Sequence, residues 1–78
     1  MEILTYPNPA TTQILIATHN DSPIRSISVF DLRGVLFKYI EDIDNNYFYL
    51  NVKKLSAGAY TLVLEFDQGL ATRQVIVQ

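Results

Sequence analysis

The amino-acid sequence predicts an all-β fold, a small antiparallel β-sandwich of about seven strands. Apolar and polar residues alternate with a period of two in most segments, as in strands that bury one face. Clusters of turn-forming residues interrupt these segments about every 8–12 residues. No window has the 3.6-residue apolar period of an amphipathic helix, and one helical turn across 52–56 is the most that the pattern predicts.

The strands are predicted at residues 2–6, 13–18, 24–31, 35–41, 47–52, 59–66 and 70–77. The first strand runs into the stretch TYPNP (5–9), where Pro7 and Pro9 fix φ and remove two backbone donors. This stretch is therefore excluded from the middle of a sheet. Asn8 is expected to be extended because it precedes a proline, with its amide holding the bend through a local backbone hydrogen bond. Tyr6 is expected to pack under the turn.

The middle strands follow from alternation and composition. The second strand places Ile14 and Ile16 on one face, and the third places Ile27 and Val29 together, opposite Phe30. Residues 35–41 and 47–52 are dense in β-branched and aromatic residues, which favour strands.

The last two strands have the clearest alternation. One face of the sixth carries Tyr60, Leu62, Leu64 and Phe66, and one face of the seventh carries Val75 and Val77. The three glycines, Gly34, Gly58 and Gly69, each fall at a predicted turn and are interpreted as positive-φ positions. Together these elements predict an immunoglobulin-like sandwich, although the cysteine pair and core tryptophan of antibody domains are absent.

Size and composition limit the possible functions. The 78 residues form a single domain, residues 1–78, and a composition of 49% hydrophobic residues is too apolar for disorder. The absence of cysteine excludes disulfides and cysteine-based zinc sites. A net charge of −2, with no basic run longer than Lys53-Lys54, argues against nucleic-acid binding. No stretch approaches the roughly 20 apolar residues that span a bilayer, and no signal peptide is visible, so we expect no direct membrane insertion.

Residues with catalytic or metal-binding chemistry are few. The single histidine, His19, lies in the turn-forming run 19–23, and no second group is predicted to converge on it. The acidic loop 41–46, with Asp42 and Asp44, has oxygen ligands suited to calcium but lacks the EF-hand order, so a solvated hairpin loop is favoured. We therefore expect no catalytic residues, no cofactor and no metal, and a domain that is not an enzyme.

Two tyrosines on the fifth strand leave a binding role open. Alternation puts Tyr47 and Tyr49 on one face and Phe48 and Leu50 on the other. An exposed tyrosine pair can stack on a sugar or bind a partner strand, whereas cross-strand packing is the more common use of such pairs in small sandwiches.

Four stretches occur in an ordered series that resembles a known family. They are YPNP (Tyr6, Pro7, Asn8, Pro9), FDLRG with Asp31 and Gly34, LSAGAY with Leu55, Gly58 and Tyr60, and a last segment with Gly69, Arg73, Val75 and Val77. In this order they resemble the type A C-terminal sorting domain of the type IX (Por) secretion system, over residues 6–78. The family tends to have lysine where Arg73 stands, and many relatives end in a basic residue rather than Gln78.

The resemblance implies a non-catalytic sorting signal at the end of a larger secreted protein of Gram-negative bacteria. Such a domain folds in the periplasm, is recognised by the outer-membrane translocon, and is usually removed by a cell-surface peptidase, so that the upstream cargo reaches the surface or the medium. If the last strand, 72–78, lies at a sheet edge, it offers unpaired backbone groups to a receptor.

Two other hypotheses remain open at this point. One is an adhesion or carbohydrate-binding module that uses Tyr47, Tyr49 and the 41–46 loop. The other is a structural spacer, which can lie in the middle of a longer chain, whereas a sorting domain ends its protein.

Overall fold

A computed structural model describes residues 2–19 and 22–78 as a two-layered antiparallel sandwich, which confirms the predicted fold. The seven strands are β1 (Ile3–Tyr6), β2 (Gln13–Thr18), β3 (Ser26–Asp31), β4 (Leu36–Ile40), β5 (Tyr47–Asn51), β6 (Gly58–Phe66) and β7 (Gly69–Val77). They form a three-stranded sheet, β1-β2-β5, and a four-stranded sheet, β4-β3-β6-β7.

The predicted alternation determines which side chains fill the space between the sheets. The three-stranded sheet contributes Ile14, Ile16 and Leu50, and the four-stranded sheet contributes Ile27, Val29, Tyr60, Leu62, Leu64, Phe66, Val75 and Val77. Ala10, Ile24 and Val52 close the core from the connecting segments. Each fully buried aliphatic side chain contributes about 1.5–3 kcal/mol to folding, so this continuous core is the main stabilising feature of the sandwich.

The two lateral sides of the sandwich differ in how the sheet edges meet. On one side, residues 7–10 leave β1 and cross to the other sheet, where Ala10 forms a parallel bridge with Val77 of β7. On the other side, β4 and β5 are the facing edges, and the Lys38 ammonium of β4 donates to the Asn51 carbonyl of β5 at 3.2 Å.

The connections agree with the turn chemistry of the sequence. All three glycines have positive φ, as predicted. The segment 52–56 forms one turn, in which the Leu55 N–H donates to the Val52 carbonyl, and it is not a helix. Within 2–19 and 22–78, no helix is long and apolar enough to cross a membrane.

Candidate recognition site

The fold brings most of the motif residues to one end of the sandwich, which we call the motif end. It comprises residues 7–13, 31–38, 51–60 and 74–78. Asp31 of β3 lies opposite Tyr60 of β6, which lies opposite Val75 of β7. Gly58 lies opposite Val77, and Val77 in turn bridges Ala10. Three stretches that are far apart in the sequence therefore meet on adjacent strands.

Asn8 connects the YPNP stretch to the last strand. Its side-chain oxygen accepts from the Ile76 N–H at 2.8 Å, and its amide nitrogen donates to the Gln74 carbonyl at 3.4 Å. The amide thus imitates the peptide group of a neighbouring strand. The expectation of a local hydrogen bond for Asn8 is wrong, because both partners lie in β7, 66 and 68 residues away.

The expectation for Tyr6 is also wrong. Its side chain is 65% exposed and does not pack under the turn. Strand alternation explains this, because Ile3 and Thr5 face the core side of β1 and Tyr6 therefore faces outward with Leu4. The Tyr6–Pro7 and Asn8–Pro9 peptide bonds are both cis.

Asp31 organises the turn between β3 and β4. Its Oδ1 accepts from the backbone N–H groups of Arg33 and Val35, both at 2.9 Å, and its Oδ2 accepts from the Arg33 guanidinium at 2.8 Å. The hydrogen bond from Val35, followed by those from Arg33, lowers the pKa of the Asp31 carboxyl below its ordinary value. Gly34, with φ of 86°, adopts the left-handed conformation that this turn requires.

Tyr60 holds the connection that leads into β6. Its ring is buried, and its hydroxyl donates to the Ser56 carbonyl, four residues upstream, at 2.7 Å. A tyrosine that bonds back in this way near the start of the corresponding strand is a recurrent feature of immunoglobulin-like sandwiches. Leu55 packs against the core beneath it, and Gly58 has φ of 151°. The LSAGAY stretch is therefore explained by the folding of this corner.

The last strand is an edge strand, but only part of its edge is open. The N–H and carbonyl of Ile76 bond to Asn8 and Ala10, and Gln78 N–H donates to the Ala10 carbonyl. Backbone groups of alternate residues face the same way in a strand, so those of Leu70 and Thr72 also point outward. The Arg73 guanidinium donates to the Thr72 carbonyl at 2.7 Å. The outward backbone groups that remain for a receptor are therefore those before residue 74, because Asn8 and Ala10 cover the edge at 74–78.

Gly69 lies at the opposite end, in the β6–β7 hairpin, away from the other motif residues. At this end, the Arg25 guanidinium donates two hydrogen bonds to Asp67 and one to Asp44, each 2.9 Å long. These bonds raise the pKa of Arg25, and the bond from Arg25 lowers the pKa of Asp67. They also tie the acidic loop 41–46 to the hairpin.

Neither the acidic loop nor His19 forms a metal-binding cluster with other described residues. Among residues 2–19 and 22–78, no three histidine or acidic side chains are grouped to hold a metal ion. Asp44 is paired with Arg25 instead. The His19 ring bonds to the Glu2 carboxylate at 2.8 Å, and both side chains are exposed. The predicted turn at 19–23 includes Asn20 and Asp21, which lie outside the described residues.

The tyrosine pair shares one face of β5, as the alternation predicts, and that face is exposed. The rings of Tyr47 and Tyr49 meet edge to face with centroids 6.0 Å apart, and each residue is about half exposed. The strand register extends this outer face across the three-stranded sheet through Ala17 and Leu15 to Leu4 and Tyr6. These six residues carry no charge.

The fold and the motif geometry together define a small immunoglobulin-like domain that gathers its motif residues, mostly turn and edge residues, at one end. The family model of the secretion-system C-terminal sorting domain matches residues 4–78, nearly the whole chain. The chain therefore belongs to this family, the sorting domains of type IX secretion, whose members are in general not catalysts. No curated protein matches the chain.

Proposed function

We propose that this domain is a non-catalytic signal that directs an upstream cargo through the type IX translocon and across the outer membrane. A cell-surface peptidase then removes the domain, and the cargo reaches the surface or the medium. The observation that carries the proposal is the family match over residues 4–78. The proposal includes transit through the periplasm and an upstream cargo domain in the same longer chain.

The motif end is the surface that we propose the translocon recognises. Its residues include Asn8, Asp31 and Tyr60, each of which holds a turn or an edge through hydrogen bonds. In this proposal most motif residues act indirectly, because they fix the shape of an end that the receptor contacts. Arg73, which lies next to the motif end on β7, is the exception, since its partly exposed guanidinium stands beside the open part of the β7 edge.

The test is a fusion of residues 1–78 behind a periplasmic reporter in a type IX-competent host. We expect the reporter at the cell surface or in the medium, and in the periplasm of a host that lacks the translocon. Retention in the periplasm of the competent host, with the domain folded, would refute the proposal.

Deletion of 72–78 is also expected to block export, but it removes Val75 and Val77 from the core, so lost recognition and lost folding are confounded. Arg73→Ala separates the two, because it keeps Val75 and Val77 in the core and removes only a half-buried side chain at the edge of β7. We expect reduced export with a circular dichroism melting curve that changes far less than that of the deletion.

The exposed tyrosine face supports one second candidate, a carbohydrate-binding role. Tyr47 and Tyr49 stand about half exposed on an uncharged face, as sugar stacking requires. This hypothesis predicts saturable glycan binding that Tyr49→Ala abolishes. A glycan array and calorimetry without any signal would eliminate it.

A further inference from the structure

The charges of the domain are separated between its two ends. The motif end carries Arg33, Lys38, Lys53 and Lys54 against one carboxylate, Asp31. Among the described residues, the opposite end carries Glu2, Glu41, Asp42, Asp44, Glu65 and Asp67 against Arg25. The net charge of −2 conceals this polarity. A positive end of this kind attracts acidic partners over a distance set by the Debye length, about 8 Å in physiological salt.

Two of the lysines line one cleft, which we call the lysine cleft. It has a volume of about 280 Å³, lies between β4 and the segment 51–56, and is lined by Phe37, Lys38, Asn51, Lys54, Leu55 and Ser56. The bond from the Lys38 ammonium to the Asn51 carbonyl, 3.2 Å long, holds that charge at the cleft and leaves two of its protons for a ligand. Across the part of the chain that the structure describes, no carboxylate lies within 4.0 Å of either ammonium.

The remaining polar groups of the cleft also favour an anion. The Asn51 side-chain oxygen already accepts from the Lys53 N–H, which leaves the Asn51 amide as a donor. The Ser56 carbonyl is taken by Tyr60. The ring of Phe37, 47% exposed and 5.9 Å from the Tyr60 ring between centroids, provides an apolar wall. These hydrogen-bond donors can bind carboxylates, and the aromatic wall can pack against apolar groups on the same partner chain.

The neighbouring backbone indicates which class of partner carries those carboxylates. β4 is the edge of its sheet, so one row of its peptide groups has no adjacent strand within the described chain. An extended peptide can add to this edge, whereas a flat membrane surface cannot enter a cleft between a strand and a loop. A lysine on an edge strand also disfavours pairing with uncharged or basic strands, so it selects for an acidic one.

From these observations we propose that the lysine cleft and the edge of β4 bind an extended acidic segment of a partner protein. The peptide pairs with residues 36–40, and its carboxylates contact Lys38 and Lys54. This site goes beyond the sorting role and does not depend on it.

The test titrates the ¹⁵N-labelled 78-residue domain with a peptide of about ten residues in which glutamate and threonine alternate. We expect saturable amide shifts at residues 36–40 and 51–56, and an affinity that falls as salt is raised. Lys38→Glu and Lys54→Glu are each expected to weaken binding about fivefold or more. Lys53→Glu is the matched control, because it makes the same charge change next to Lys54 but outside the cleft lining.

Several results would overturn the proposal. One is that Lys53→Glu and Lys54→Glu weaken peptide binding equally. Another is that a peptide with lysine in place of glutamate binds as tightly. The third is that the amide shifts occur only outside residues 36–40 and 51–56. Binding of phosphatidylglycerol vesicles without binding of the peptide would identify a lipid surface instead. Concentration-dependent shifts without peptide would identify a second copy of the chain. Each variant is first checked by its amide spectrum, and Lys38→Gln replaces Lys38→Glu if the latter does not fold.

Discussion

Replacement of Asn8 by alanine tests whether the YPNP stretch acts by holding the last strand. The substitution removes the 2.8 Å bond from the Ile76 N–H and the 3.4 Å bond to the Gln74 carbonyl. The first is an exposed bond of good length, which contributes about 0.5–1.5 kcal/mol, and the second is close to the limit of a hydrogen bond. We therefore expect a loss of about 1 kcal/mol in the free energy of unfolding, or a melting temperature lower by about 4–8 °C.

The assay combines thermal melting with hydrogen exchange at the Ile76 amide. Loss of its acceptor should increase exchange at Ile76, while buried strand amides such as that of Leu62 change only with global stability. Asn8→Asp is the matched control, because it keeps the oxygen that accepts from Ile76 and removes the donor to Gln74. Unchanged melting together with unchanged exchange in Asn8→Ala would refute the reasoning. Unchanged melting with lost export would instead mean that a receptor contacts Asn8 directly.

Three further predictions concern the motif end and the core. Tyr60→Phe removes the hydrogen bond to the Ser56 carbonyl and should lower the free energy of unfolding by about 1 kcal/mol. The loss is measured as a lower urea midpoint at constant m, and an unchanged midpoint would contradict it. Val75→Ala leaves a cavity in the core and should cost about 1–3 kcal/mol, whereas Ile76→Ala, on the exposed face of the same strand, should cost clearly less; equal losses would count against the burial argument. Asp31→Asn should destabilise the domain at pH 7. Because folding lowers the pKa of Asp31, its contribution is complete above the unfolded value of about 3.9 and is lost as the pH falls through the lower folded value. The gap in melting temperature between wild type and Asp31→Asn should therefore close in acid, and a gap that is independent of pH would contradict this.

The sequence was most informative where local rules apply. A period of two determines which side chains are buried, so the seven strands and the inward faces of β6 and β7 were predicted correctly. The same rule would have placed Tyr6 on the outside, had alternation with Ile3 and Thr5 been applied instead of turn packing. Positive φ at Gly34, Gly58 and Gly69 follows from turn chemistry that is equally local.

Features that depend on long-range contacts were beyond the sequence. The partners of Asn8 lie at the far end of the chain, and no local pattern indicates a bond over that separation. The sequence contains the LSAGAY motif, but the reason for its tyrosine, the hydrogen bond to the Ser56 carbonyl, is visible only in the folded corner. No sequence pattern indicates the lysine cleft, because its two lysines come together only where β4, with Lys38, faces the turn after β5, with Lys54.

The crossing from β1 to β7 has a consequence for the order of events during synthesis and export. Asn8 and Ala10 bond to Gln74, Ile76 and Gln78, so the sandwich cannot close until these last residues have emerged. In the fusion proposed above, the whole cargo has then been synthesised and has entered the periplasm before the sorting domain can complete its folding. A chain that stops before Val75 lacks both the core side chains and the edge that Asn8 covers, so it presents no finished signal. In that fusion, the closure of β7 would therefore restrict the folded signal to full-length chains.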